Sequence, residues 1–161
     1  MSTQTTAARL DYASLSPHLF KKYLDFATAF TLDEGLALLV DIRASQLNGC
    51  AFCLDMHVKQ AKIHGERELR LHHLAIWRES PLFTAKERAA LAWTEALTSL
   101  DHTGVSDAAY ELVRKHFSEE ELVELTFRIV SINGWNRLNA AFRNPPGSKD
   151  RLFGLEKAGL G

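Results

Sequence analysis

The chain holds two cysteines, Cys50 and Cys53, and His57 follows them in Cys50-Ala51-Phe52-Cys53-Leu54-Asp55-Met56-His57. On a helix these three positions fall at about 0°, 300° and 340° around the axis, so they share one face. Cys53 and His57 are then i,i+4 neighbours within reach of each other. Asn48-Gly49 reads as a break that sets Cys50 near a helix N-terminus, with Cys53 in the next turn. Free amides and the helix dipole at such a terminus favour a thiolate. The thiolate is a nucleophile, and His57 could help to generate it. Once one sulfur is oxidised to a sulfenic acid, the other is close enough to condense with it into a disulfide. An external thiol must then reduce that disulfide. Phe52, Leu54 and Met56 supply apolar surroundings.

Two other readings stand beside this one. Cys50, Cys53, His57 and His64 fall on one face and imitate a zinc set. Along one straight helix, however, Cys50 and His64 would lie roughly 21 Å apart, too far to share an ion. Zinc would need a ligand from elsewhere, such as His72, His73 or His102. Alternatively, the cysteines and His57 are ordinary core residues. A purely structural disulfide is disfavoured, because a bridge between residues three apart closes too small a loop to stabilise a fold much. A secreted scaffold would also spread several pairs along its length.

The 161 residues suit a single domain, 1–161, with a core that needs no disulfide staples. Hydrophobic residues make up 46% and charged residues 24%, an ordinary globular balance. A formal net charge of -1 without blocks of like charge argues against nucleic acid or an anionic membrane as partner. No apolar run is long enough to span a bilayer. Met1 to Leu10 is polar and Thr-rich, without the apolar core of a signal peptide, so the expected compartment is the cytoplasm.

The elements that must position the cysteines are helical. Ser16-Pro17 is a start signal, and Phe20, Tyr23, Leu24, Ala27 and Phe30 recur at helical spacing behind it. Asp33 opens a second helix, and a third should run from near Cys50 to Gly65. Arg67 to Trp77 reads as a fourth. Thr84 to Glu87 and Ser118 to Glu121 are capping boxes, the second opening a long apolar helix that ends at Asn144-Pro145-Pro146-Gly147. Between them Ser106 caps a short helix to about His116, and the tail from Ser148 is a short helix or an arm. The expectation is an all-α, single-domain bundle of about six to eight helices, with the Cys-x-x-Cys at a helix N-terminus. The last long helix is apolar all round, which suits a central helix or one shared between subunits, hence a homo-oligomer. Trp77, Trp93 and Trp135 read as core or interface, and Asn133, Asn136 and Arg137 as buried polar groups that line a pocket, bind across an interface or, the safer reading, serve structure.

The stretch Gln46 to His57 resembles the core of the alkylhydroperoxidase D-like branch of the carboxymuconolactone decarboxylase family. The likeness extends through Trp77-Arg78-Glu79-Ser80-Pro81, Glu87 to Leu97 and Ile132-Asn133-Gly134-Trp135-Asn136-Arg137-Leu138, and covers roughly 33–143. The resemblance implies an all-helical fold, trimers or hexamers, and a peroxidase that reduces hydroperoxides. It makes Cys53 the peroxidatic and Cys50 the resolving cysteine, whereas the helix terminus alone suggests the opposite order. It implies no bound cofactor and an external electron donor, either a dithiol or a thioredoxin-like or lipoyl partner. Better-known members carry a proton-relay glutamate twelve residues before the first cysteine, where this chain has Leu38. Glu95 and Glu87 are the candidates to replace it, and Asp41 and Asp55 are expected to be exposed. The family's wider name also admits lactone decarboxylation, a reaction with no need of paired thiols, and a zinc-binding or interaction module is a further alternative.

Overall fold

The computed structural model describes residues 7–160, so the reading of Met1 to Leu10 lies partly outside it. Nine α-helices and two 3-10 segments occur among the described residues, without a strand: α1 Tyr12–Leu15, α2 Pro17–Ala27, α3 Glu34–Asn48, α4 Ala51–His64, α5 Glu68–His73, α6 Ala85–Thr98, α7 Asp107–Arg114, α8 Glu119–Phe142 and α9 Asp150–Phe153. Seven of these have six residues or more, within the expected six to eight, and α1 and α9 are single turns. The expected fourth helix is shorter than the periodicity suggests. It ends as α5 at His73 and passes into a 3-10 segment, Leu74–Ile76.

Local chemistry explains the boundaries. The Asp33 carboxylate accepts from the Leu36 amide at the start of α3. Thr84 and Ser118 form complete capping boxes with Glu87 and Glu121. Gly49 and Gly65 end α3 and α4 in the left-handed region, at φ 64° and 97°, which a residue with a Cβ adopts only under strain.

The central helix is α3. Leu36 through Ile42 are all buried, and α4, α6 and α8 pack around them. Leu36 and Val40 join Ala90, Trp93, Leu125 and Ile129 in one apolar cluster, and Leu38, Leu39 and Ile42 join Ala61, Trp77 and Leu91 in another. Burying each such aliphatic side chain contributes about 1.5–3 kcal/mol, so this helix anchors the bundle. The long α8 packs against α2, α3, α4, α6 and α7, yet it is apolar on a side that this chain does not cover. It is buried at Leu122, Leu125, Ile129 and Ile132, while Val123, Phe127 and Val130 are about half exposed on its other side.

Two arms cross the bundle. The Tyr23 hydroxyl of α2 donates to the Ser131 carbonyl at 2.7 Å, and its ring lies against Trp135. Gly134 makes this close approach feasible, since a Cβ there would fall 1.9 Å from the Tyr23 hydroxyl oxygen. At the other end of the chain, the 3-10 segment Leu155–Ala158 packs on α4. The buried Lys59 ammonium fixes this arm, donating to Asp55 at 2.9 Å and to Asp150 at 2.6 Å.

Candidate active site

The corner between α3 and α4 is built for the two sulfurs. Gly49 turns the chain, and Cys50 becomes the N-cap of α4, its Sγ accepting from the Cys53 amide at 3.3 Å. The two cysteines form a disulfide across a Cα–Cα distance of 5.4 Å. They are 3% and 2% exposed, packed with Phe52 and half-buried Met56.

A ladder of amides pins this corner to α8. Asn48, just before the turn, donates to Asn133 Oδ1 at 3.0 Å and to Asn136 Oδ1 at 2.9 Å. Asn136 donates to the Ser45 hydroxyl at 3.0 Å, and Asn133 donates to the Thr98 hydroxyl at 2.9 Å. Arg137 donates back to Asn133. These groups pair with one another and with α3 and α6, and every buried side-chain nitrogen and oxygen among the described residues has a partner. One helical turn on, Asn139 Nδ2 lies 3.6 Å from Cys53 Sγ.

His57 is half-buried on the same helix as the cysteines. Its Nδ1 is 2.8 Å from Gln60 Oε1 and 3.5 Å from Asp41 Oδ2. Asp41 was expected at the surface, but its side chain is only 1% exposed. The reason is α3 itself, which is buried nearly all round and leaves no solvent face at that position. Arg128 of α8 compensates with a two-pronged bond, through Nε at 2.9 Å to Oδ1 and through Nη2 to Oδ2. Burial works against the Arg128 charge, and the Asp41 carboxylate more than offsets it, holding the guanidinium above its ordinary value. Asp55, likewise expected to be exposed, is half-buried between Lys59 and the Gly147 amide.

Glu95 and Glu87 are held elsewhere. Glu95 accepts from Trp77 Nε1 at 2.7 Å, Arg43 Nε at 2.9 Å and Arg78. Glu87 accepts from Arg70 Nη2 at 2.5 Å while completing its capping box through the Thr84 amide at 2.7 Å. Burial alone would raise both carboxyls, but these donors outweigh it and hold each below its ordinary value of 4.5. A carboxylate saturated in this way is a poor proton carrier, and neither hydrogen-bonds to His57 or to a cysteine. The carboxylate beside His57 is Asp41.

Among the described residues, no group of three or more His, Cys, Asp or Glu side chains is arranged to hold a metal ion. His64 stands at the far end of α4, paired with Glu34 at 3.5 Å, and His72 is exposed beside Glu68. Among the described residues, no helix is long and apolar enough to cross a membrane.

The structure places Asp41 and Gln60 beside His57, Arg128 behind Asp41 and Asn139 beside Cys53, none of which sequence reasoning offered as site candidates. Asn139 alone left a legible signal, because Asn133, Asn136 and Asn139 repeat every three residues on an otherwise apolar helix.

Comparison with known proteins places this geometry. The carboxymuconolactone decarboxylase family matches residues 17–96. The uncharacterised protein YdfG of Bacillus subtilis is 37% identical over 144 residues, spanning 88% of this chain and 98% of the relative. A crystal structure of a protein of unknown function from Agrobacterium tumefaciens, named as a candidate antioxidant defence protein AhpD, superposes with a TM-score of 0.83 at 41% identity, covering 87% of this chain and 98% of that one. An alkylhydroperoxidase AhpD core protein from Ralstonia eutropha, described as peroxidase-related, shares the fold at 19% identity and a TM-score of 0.74, over 85% of this chain and 75% of its own. With a Cys-x-x-Cys at the N-terminus of a helix in an all-α fold, and with these matches in sequence and structure, the chain belongs to the carboxymuconolactone decarboxylase family, in its alkylhydroperoxidase D-like branch.

Proposed function

We propose that the chain is a thiol-dependent peroxidase that reduces hydroperoxides through a Cys50/Cys53 dithiol–disulfide cycle. The observation that carries this reading is the disulfide at the N-terminus of α4, one turn from a histidine backed by a buried carboxylate.

The Cys53 thiolate attacks the terminal peroxide oxygen. The O–O bond breaks, the alcohol leaves with a proton, and Cys53 becomes a sulfenic acid. The Cys50 sulfur then attacks Cys53, the S–S bond forms and water leaves. Two electrons pass from the dithiol to the peroxide, and an external dithiol or a thioredoxin-like or lipoyl donor returns them, with no bound cofactor. His57 takes the Cys53 proton as the thiolate forms and returns it to the departing alkoxide. With Nδ1 facing Gln60 and Asp41, its Nε2 is left for exchange. Asp41 thus takes the place of the relay glutamate that Leu38 cannot supply. Assembly into a trimer or hexamer is part of the proposal, supported by the exposed Val123, Phe127 and Val130 of α8.

Separate cysteine variants test the order of events. In Cys50→Ser, peroxide should convert Cys53 to a sulfenic acid that mass spectrometry detects, with turnover lost. In Cys53→Ser, peroxide consumption should stop. Consumption at the parent rate in Cys53→Ser would overturn the proposal.

A further inference from the structure

The two sulfurs receive different donors. Cys50 Sγ accepts from the backbone amide of Cys53, a bond the helix N-terminus provides whatever the side chains nearby. Cys53 Sγ faces a side chain, the Asn139 amide at 3.6 Å, in a contact lengthened by the larger radius of sulfur. The amide's orientation is fixed. The Trp135 carbonyl can only accept, so the atom 2.9 Å from it is the nitrogen. Asn139 Oδ1 accepts from Asn144 Nδ2 at 2.7 Å and from the Tyr12 hydroxyl at 3.3 Å. Asn139 is itself only 5% exposed, so water does not compete for its second N–H. That N–H points at the sulfur.

We infer that Asn139 is a positioning residue that stabilises the Cys53 thiolate specifically. A donor held in a dry site favours the charged form of its acceptor and lowers its pKa. This resolves a conflict within the site. The helix N-terminus favours Cys50 as the thiolate, and Asn139 gives Cys53 a donor that Cys50 lacks. The α1 turn and the segment after α8 enter the same arrangement, because Tyr12 and Asn144 hold the amide in place.

This inference rests on the reading of Cys53 as the sulfur that reacts, yet its test needs no peroxide. The experiment is titration of thiolate ultraviolet absorbance in the reduced protein, one cysteine at a time. In a Cys50→Ser background, Asn139→Leu should raise the Cys53 midpoint by about one pH unit, as expected for losing one charge-assisted hydrogen bond. Asn139→Asp keeps the shape and replaces the donor with an acceptor, so it should raise the midpoint at least as far. In a Cys53→Ser background, the same substitutions should leave the Cys50 midpoint in place. An unmoved Cys53 midpoint in Asn139→Asp, or equal shifts at both cysteines, would overturn the assignment. A shifted Cys53 midpoint, alongside a parent chain with both cysteines that fails to reduce peroxide, would sink the peroxidase reading and leave this one standing.

Discussion

Helix α8 presents two contrasting regions. Toward its C-terminal half, Asn133, Asn136 and Asn139 are buried against the α3–α4 corner. Earlier in the same helix, Val123, Phe127 and Val130 are 54%, 50% and 53% exposed. An ordinary amphipathic helix buries its valines and exposes its amides. The buried amides here are fully paired, so they hold the turn before Cys50 and one of them reaches Cys53. The exposed valines contribute little to this chain alone and leave an apolar stripe for another surface. Polar residues inside thus serve the site, and apolar residues outside are free to serve assembly.

The largest effect should come from breaking the pair at Asp41. Asp41→Asn leaves the Arg128 charge without its carboxylate and should destabilise by about 3 kcal/mol, measured by denaturant unfolding. The same substitution should slow peroxide turnover, and a parental rate would remove Asp41 from the proton path. Asn136→Leu should cost about 2 kcal/mol, because Asn48 loses a partner while Ser45 loses a donor. An unchanged unfolding midpoint would show the ladder to be energetically idle.

The carboxylates of α6 sharpen the contrast from another side. Glu87 and Glu95 have folded-state values below the ordinary 4.5. Each therefore contributes stability that is present above about pH 4.5 and lost as pH falls through its lowered value. Glu95→Gln should flatten this acid-side fall in melting temperature while leaving peroxide turnover near the parental rate. A collapse of turnover in Glu95→Gln would return that residue to the site. The smallest change in stability belongs to the outer stripe. Val123→Ser with Val130→Ser should alter unfolding by no more than about 0.5 kcal/mol. It should nonetheless reduce the assembled mass seen by light scattering, and an unchanged mass would free this face from any role in assembly.

The parts legible in the sequence are those fixed within a few residues. Asp33, Thr84, Ser106 and Ser118 cap helices where their spacing indicates, and Gly49 sets the turn that makes Cys50 an N-cap. The parts that were not legible join distant positions. Arg128 meets Asp41 across 87 residues, and Asn139 meets Cys53 across 86. No local pattern marks an aspartate as buried when its neutralising arginine lies on another helix. The reading of Glu95 as a relay candidate had the same source, since its partners Arg43, Trp77 and Arg78 come together only through the packing of α6 against α3 and the segment after α5.

The most direct test of the central claim is a thiol count on the reduced chain before and after one equivalent of hydroperoxide, with peptide mass spectrometry on the product. The account predicts that both thiols disappear together and that Cys50 and Cys53 are recovered as one disulfide-linked peptide, with alcohol formed in equal amount. Peroxide consumed while both thiols remain free would contradict it.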